Sequence, residues 1–130
     1  MKPTSRRILI VDDEPSLLRM MSLYMGRLGY VVTATDASDK AWALVEADPS
    51  AFELAVLDGS MTGMSMEELA SRLLSSNPAL CILTASGYPV DMTALSARAP
   101  GRVAFLLKPF TPQSLAAAVG RLLAAKKEEL

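Results

Sequence analysis

The stretch Ile8-Leu9-Ile10-Val11-Asp12-Asp13-Glu14-Pro15 decides how the rest of the chain is read. Four apolar residues follow one another without polar alternation, as in a strand covered on both faces. Two acids then end the run. After Pro15, Leu18, Met21, Met25 and Leu28 recur with helical spacing, and Gly29 fits a helix stop. A strand, an acidic turn and a helix thus succeed one another between residues 8 and 29.

The same alternation continues outward. Leu54-Ala55-Val56-Leu57, Leu80-Cys81-Ile82-Leu83 and Val103-Ala104-Phe105-Leu106-Leu107 are further unbroken apolar runs. Tyr30-Val31-Val32-Thr33-Ala34 is a fifth strand candidate, more exposed at its far end, which suits a sheet edge. Between the runs, Asp39–Ala47 carries Ala41, Leu44 and Val45 on one face, and Glu67–Ser76 carries Leu69, Leu73 and Leu74. Thr111-Pro112 opens a last helix, with Thr as cap and Pro in the first turn, followed by Leu115, Val119, Leu122 and Leu123. Pro89–Arg98 is read as the fourth helix, although it holds few large apolar residues and ends before Pro100-Gly101. Five strands alternating with five helices predict an α/β fold: a doubly wound parallel sheet, helices on both faces, right-handed crossovers.

Composition narrows the function classes. A chain of 130 residues, 51% hydrophobic and 21% charged, suits one globular domain over residues 1–130 with a single core. A formal net charge of −1, with no basic stripe before Lys126-Lys127, argues against direct nucleic-acid binding. The apolar run after Met1–Arg7 is too short for a signal sequence, and no stretch approaches the roughly 20 apolar residues of a membrane span. A cytoplasmic protein with no membrane association is expected; the lone Cys81 suits a reducing compartment. The absence of histidine excludes imidazole acid–base catalysis, His-ligated metals and a phosphohistidine formed on this chain. Oxygen ligands are then expected of any metal here, which favours Mg²⁺, Mn²⁺ or Ca²⁺.

In such a sheet, ligands gather beyond the carboxyl ends of the strands. The first strand ends in Asp12-Asp13, the third in Asp58, the fourth in Thr84-Ala85-Ser86-Gly87 and the fifth in Lys108-Pro109. Each alone has a bland reading: Asp13 a turn or cap, Asp58-Gly59 a turn, Thr84 a strand end, Lys108 a solvated lysine. Together they bring carboxylates, a hydroxyl and an ammonium to one edge. Clustered carboxylates resist ionisation unless a cation joins them. Mg²⁺ prefers one or two carboxylates plus water and a substrate phosphate. That set suits Mg²⁺-assisted phosphoryl transfer, with Asp58 placed to attack, Lys108 to offset charge and Thr84 to donate a hydrogen bond.

The pattern Ile8 to Pro15, Val56-Leu57-Asp58, Leu83-Thr84-Ala85 and Leu107-Lys108-Pro109-Phe110 resembles the response-regulator receiver family (CheY-like) of two-component signalling, over about residues 6–125. The resemblance implies a flavodoxin-like strand order, 2-1-3-4-5. It implies that Asp58 accepts a phosphoryl group from a sensor histidine kinase or histidine phosphotransfer protein. Asp13 and Asp58 would bind Mg²⁺ directly, Asp12 through water, and Ser60 through its main-chain carbonyl. Lys108 would contact the phosphoryl group, across a cis Lys108–Pro109 peptide. Thr84 would be the switch hydroxyl and Phe105 the switch aromatic, which turns inward and alters a partner surface on the fourth helix, fifth strand and fifth helix.

One segment departs from the family: Gly59-Ser60-Met61-Thr62-Gly63-Met64-Ser65-Met66. Thr62 stands where Pro is usual and Met66 where Gly is usual, with Gly63 able to supply the backbone freedom instead. Phe105 also fits a plain core aromatic. The altered loop leaves open a binding module that docks whether or not Asp58 is modified. A hydrolase of the haloacid-dehalogenase type would place its nucleophile on the first strand with an acid two residues on, unlike the adjacent Asp12 and Asp13. The acidic first loop would repel a flavin phosphate.

Overall fold

The computed structural model describes residues 6–61 and 63–128; residues 1–5, Glu129, Leu130 and Thr62, the site of one departure from the family pattern, lie outside them. Strand and helix alternate throughout: β1 (Arg7–Val11), α1 (Pro15–Arg27), β2 (Val31–Thr35), α2 (Ser38–Ala47), β3 (Leu54–Asp58), α3 (Met66–Ser76), β4 (Cys81–Ser86), α4 (Thr93–Arg98), β5 (Val103–Leu107) and α5 (Pro112–Glu128). The strands form one parallel sheet in the order β2-β1-β3-β4-β5. The expected strand order and edge position of β2 are both found.

The unbroken apolar runs serve two cores at once, because successive strand residues point to opposite faces. Leu9, Val11, Ala55, Leu57 and Ile82 pack with α2, α3 and Leu95 of α4. Ile8, Ile10, Leu54, Val56, Cys81 and Leu83 pack with Met21 and Met25 of α1 and Leu115, Val119 and Leu122 of α5. Burial of each large aliphatic side chain contributes about 1.5–3 kcal/mol relative to exposure.

Helix ends follow local chemistry. Ser65 accepts the Glu68 N–H at 3.1 Å, with Glu67 and Glu68 in the first turn of α3 complementing its positive end. Thr111 accepts the Ser114 N–H at 3.0 Å, and Pro112 opens α5 as expected. Gly63 has φ +87°, so it does supply the freedom required of the altered loop.

Along β2, Val31 is 42% exposed and Ala34, at the far end of the expected run, is exposed too, while Thr35 beyond it is buried. Two expectations need correction. β5 is half-buried rather than covered on both faces, because it forms the other edge. β4, by contrast, ends at Ser86, within the Thr84–Gly87 end expected of it, with pairing to β3 as far as Ala85 and to β5 as far as Ser86. The fourth helix covers Thr93–Arg98 alone; in the segment before it, Val90 and Met92 pack half-buried against the core from non-helical backbone. Among the described residues no helix is long and apolar enough to cross a membrane.

Candidate functional site

Register brings the polar residues together. Val11 lies opposite Leu57, so Asp12 and Asp58 leave neighbouring strands side by side. Asp12 and Asp58 are 1% and 2% exposed, whereas Asp13 and Ser60 are exposed. One carboxylate oxygen from each of Asp12, Asp13 and Asp58 lies within 4.8 Å of the others. Lys108, just beyond β5, reaches across: its ammonium donates to Asp58 Oδ1 at 2.9 Å and to Asp12 Oδ2 at 3.2 Å. The Lys108–Pro109 peptide is cis.

Electrostatics explain this packing. Burial pushes the Asp12 carboxyl above the ordinary carboxylate range, and the neighbouring Asp58 charge adds to the rise. The Glu14 N–H, donating to Asp12 Oδ1 at 2.9 Å, and Lys108 offset part of it. Burial alone would lower the Lys108 ammonium, yet the hydrogen bonds and charges of Asp58 and Asp12 hold it above the ordinary lysine range. The donor set fits a hard divalent cation: three carboxylates converge, and Asp58 Oδ2 is met by the Ser60 hydroxyl at 3.5 Å, a marginal bond that leaves it able to ligate.

Thr84 does not join the cluster. Its hydroxyl, with one proton to donate, lies 3.3 Å from both the Ala104 carbonyl oxygen and Met92 Sδ. Phe105 lies opposite Thr84 in the β4–β5 register and is half-buried. The chain after Asp58 is pinned to β4: the Gly59 N–H donates to the Ala85 carbonyl at 2.7 Å, and a Cβ at Gly59 would meet Ser86 Cβ at 2.8 Å. A glycine directly after a strand-end acid was a signal for such close approach; its partner Ser86 and the Thr84–Met92 contact carried none. Beside Lys108, an open groove of about 520 Å³ is lined by Glu14, Leu17, Met20, Pro109 and Phe110 among others.

Comparison with known proteins bears on the site. The family of response regulator receiver domains matches residues 8–120. The chain is 30% identical over 115 residues to chemotaxis protein CheY1 of Helicobacter pylori, covering 84% of this chain and 90% of that protein. It is 30% identical over 124 residues to the DNA-binding transcriptional regulator NtrC of Rhizobium meliloti, covering 95% of this chain and 25% of that protein. The chain spans a quarter to under half of the length of several curated relatives it matches. A CheY-like receiver domain protein from Methanospirillum hungatei superposes with a TM-score of 0.86 at 25% identity, covering 98% of this chain and 100% of that one. A receiver protein from Sinorhizobium medicae gives 0.81 at 26% identity, covering 94% and 97%.

Proposed function

This chain belongs to the response regulator receiver domain family of two-component signalling, and from that premise we propose that Asp58 accepts a phosphoryl group from a sensor histidine kinase or histidine phosphotransfer protein. The observation that carries this reading is the Lys108 ammonium held between the Asp58 and Asp12 carboxylates, in a cluster that Asp13 completes. The receiver unit covers about residues 6–125 and acts in the cytoplasm.

An Asp58 carboxylate oxygen attacks phosphorus, the phosphorus–nitrogen bond of the donor phosphohistidine breaks, and the imidazole leaves. With Asp58 2% exposed, the phosphoryl group enters on the side where Asp13 and Ser60 face solvent. Lys108 turns from Asp58 to the phosphoryl oxygens and offsets their developing charge. Mg²⁺, when held by Asp13, Asp58 and the Ser60 carbonyl, and by Asp12 through water, supplies the remaining neutralisation at those oxygens. A donor protein approaching Lys108 rests on the groove lined by Leu17, Met20 and Phe110.

The acyl phosphate adds roughly −1.5 to −2 charge and three acceptor oxygens beside β4. Thr84 leaves Ala104 and donates to the phosphoryl group. Phe105, its neighbour across the ladder, turns inward. The surface of α4, β5 and α5 then favours a downstream protein partner, as the phosphoryl contacts raise the population of a minor conformation. The chain modifies itself and hydrolyses its own acyl phosphate; it is not a turnover enzyme.

Incubation with acetyl phosphate and Mg²⁺ tests this. Wild type is expected to gain one acid-stable, base-labile phosphoryl group by mass spectrometry, and Asp58→Asn none. Modification of Asp58→Asn, or none in wild type, defeats the proposal. A partner that binds both proteins equally would point to the docking module instead.

A further inference from the structure

The Thr84 side chain is fully buried and its hydroxyl carries one proton, yet two acceptors flank it at 3.3 Å. For a carbonyl this is long, since O–H···O bonds centre at about 2.7–2.8 Å. Sulfur is the larger atom, so the same distance to the Met92 thioether is close contact. Met92 also stands at a structural joint. It is the N-cap residue of α4, its carbonyl accepts the Ser96 N–H at 2.8 Å, and its side chain packs half-buried against the α2–α3 core. The contact therefore ties β4 to the first turn of α4.

We propose that the Met92 thioether is the resting-state anchor of the Thr84 hydroxyl, a positioning residue that sets how readily the chain adopts its phosphorylated conformation. This rests on the reading of Thr84 as switch hydroxyl. The hydroxyl can donate to the phosphoryl group only after leaving Met92. Releasing it removes one of the attachments of α4. The anchor suits the task because a thioether is a weak acceptor, easily outcompeted by phosphoryl oxygen.

Fluoroberyllate, a phosphoryl mimic, titrated with Mg²⁺ and followed by NMR amide shifts, provides the test. Met92→Leu keeps the volume and removes the acceptor. It is expected to bind fluoroberyllate two- to five-fold more tightly than wild type, the range that loss of one weak hydrogen bond in the resting state gives. Met92→Gln restores an acceptor at similar reach and should return the affinity to wild type or below. In a Thr84→Val background, Met92→Leu should change nothing, a null that a packing role would not produce. Urea denaturation confirms that each variant is folded. Equal affinities of wild type and Met92→Leu, or the same gain in the Thr84→Val background, would overturn the anchor while leaving the phosphoacceptor reading intact. No binding by wild type would overturn both.

Discussion

At the ends of β1 and β3, Asp12 and Asp58 are buried and share one ammonium at 3.2 and 2.9 Å. One strand further along, Thr84 is equally buried, but its hydroxyl makes two contacts of 3.3 Å. The helices beside them differ in the same sense. α3 has 11 residues, buries five of them and is capped by Ser65. α4 has 6 residues, buries Leu95 among them, and its N-cap residue Met92 offers no capping side chain, the Thr93 N–H donating instead to Asp91 Oδ1 at 3.0 Å in an exposed turn. Chemistry sits on strands whose positions the two cores dictate, while the neighbouring α4 is held by Leu95, its C-cap Ala99 and a few polar contacts. Such a division lets a charge added at one place move the other without disturbing the sheet.

The largest expected effect breaks the tight side. Lys108→Met leaves two buried carboxylates facing each other with no ammonium between them. Removing one partner of a buried charge cluster typically costs about 3–5 kcal/mol, and the partial exposure of Lys108 puts this case near 3. Urea denaturation without divalent cation measures it. Adding Asp58→Asn should recover much of the loss, because it removes the repulsion. Mg²⁺ should stabilise Lys108→Met more than wild type, because it takes over the missing positive charge. Wild-type stability in Lys108→Met would show that the cluster is not held electrostatically.

A smaller effect lies at the seam between the two regions. Gly59→Ala places a methyl group 2.8 Å from Ser86 Cβ and 3.0 Å from its Oγ, so β3 and β4 must part there. Overpacking of this kind costs about 1–3 kcal/mol. Ser86→Gly in the same chain should return most of it, a coupling read from a double-mutant cycle. Simple additivity of the two changes would mean that the strand ends yield independently.

The sequence carried the tight region more fully than the loose one, for a physical reason. Unbroken apolar runs mark strands buried on both faces, and the residues that end them must meet at one edge; Asp12, Asp58 and Lys108 follow from that alone. The direction of the Thr84 hydroxyl did not follow: it depends on where the segment 87–92 brings Met92, and no periodicity governs that path. The extent of the fourth helix was overread for a related reason. Spacing between Pro89 and Pro100 allowed a helix, but Val90 and Met92 reach the core from non-helical backbone, and only the stretch leading to Leu95 and Ala99 enters it as a helix. Gly63 was legible because its positive φ is a demand that few other residues meet.

The smallest expected effect concerns what still holds α4. Arg98, in its last turn, donates to the Ser71 carbonyl at 3.2 Å, the Ser71 hydroxyl at 2.6 Å and the Ser75 hydroxyl at 3.1 Å, all on α3. These bonds are exposed, so Arg98→Ala should cost about 0.5–1 kcal/mol. Local opening of α4 should still become about two- to five-fold more frequent, visible as faster hydrogen exchange at the Ser96 and Ala99 amides, which bond within the helix. The Leu69 amide, in the capped and buried α3, should keep its wild-type rate. Arg98→Lys separates two causes: it keeps a cation at the helix C-terminus but loses the planar fork that spans two serines. If exchange in Arg98→Lys matches Arg98→Ala, the fork tethers α4; if it matches wild type, charge at the helix end suffices. Acceleration spreading equally into α3 would mean that the two helices open as one unit, and the contrast between a firm and a loose side of this sheet would have to be redrawn around β4 alone.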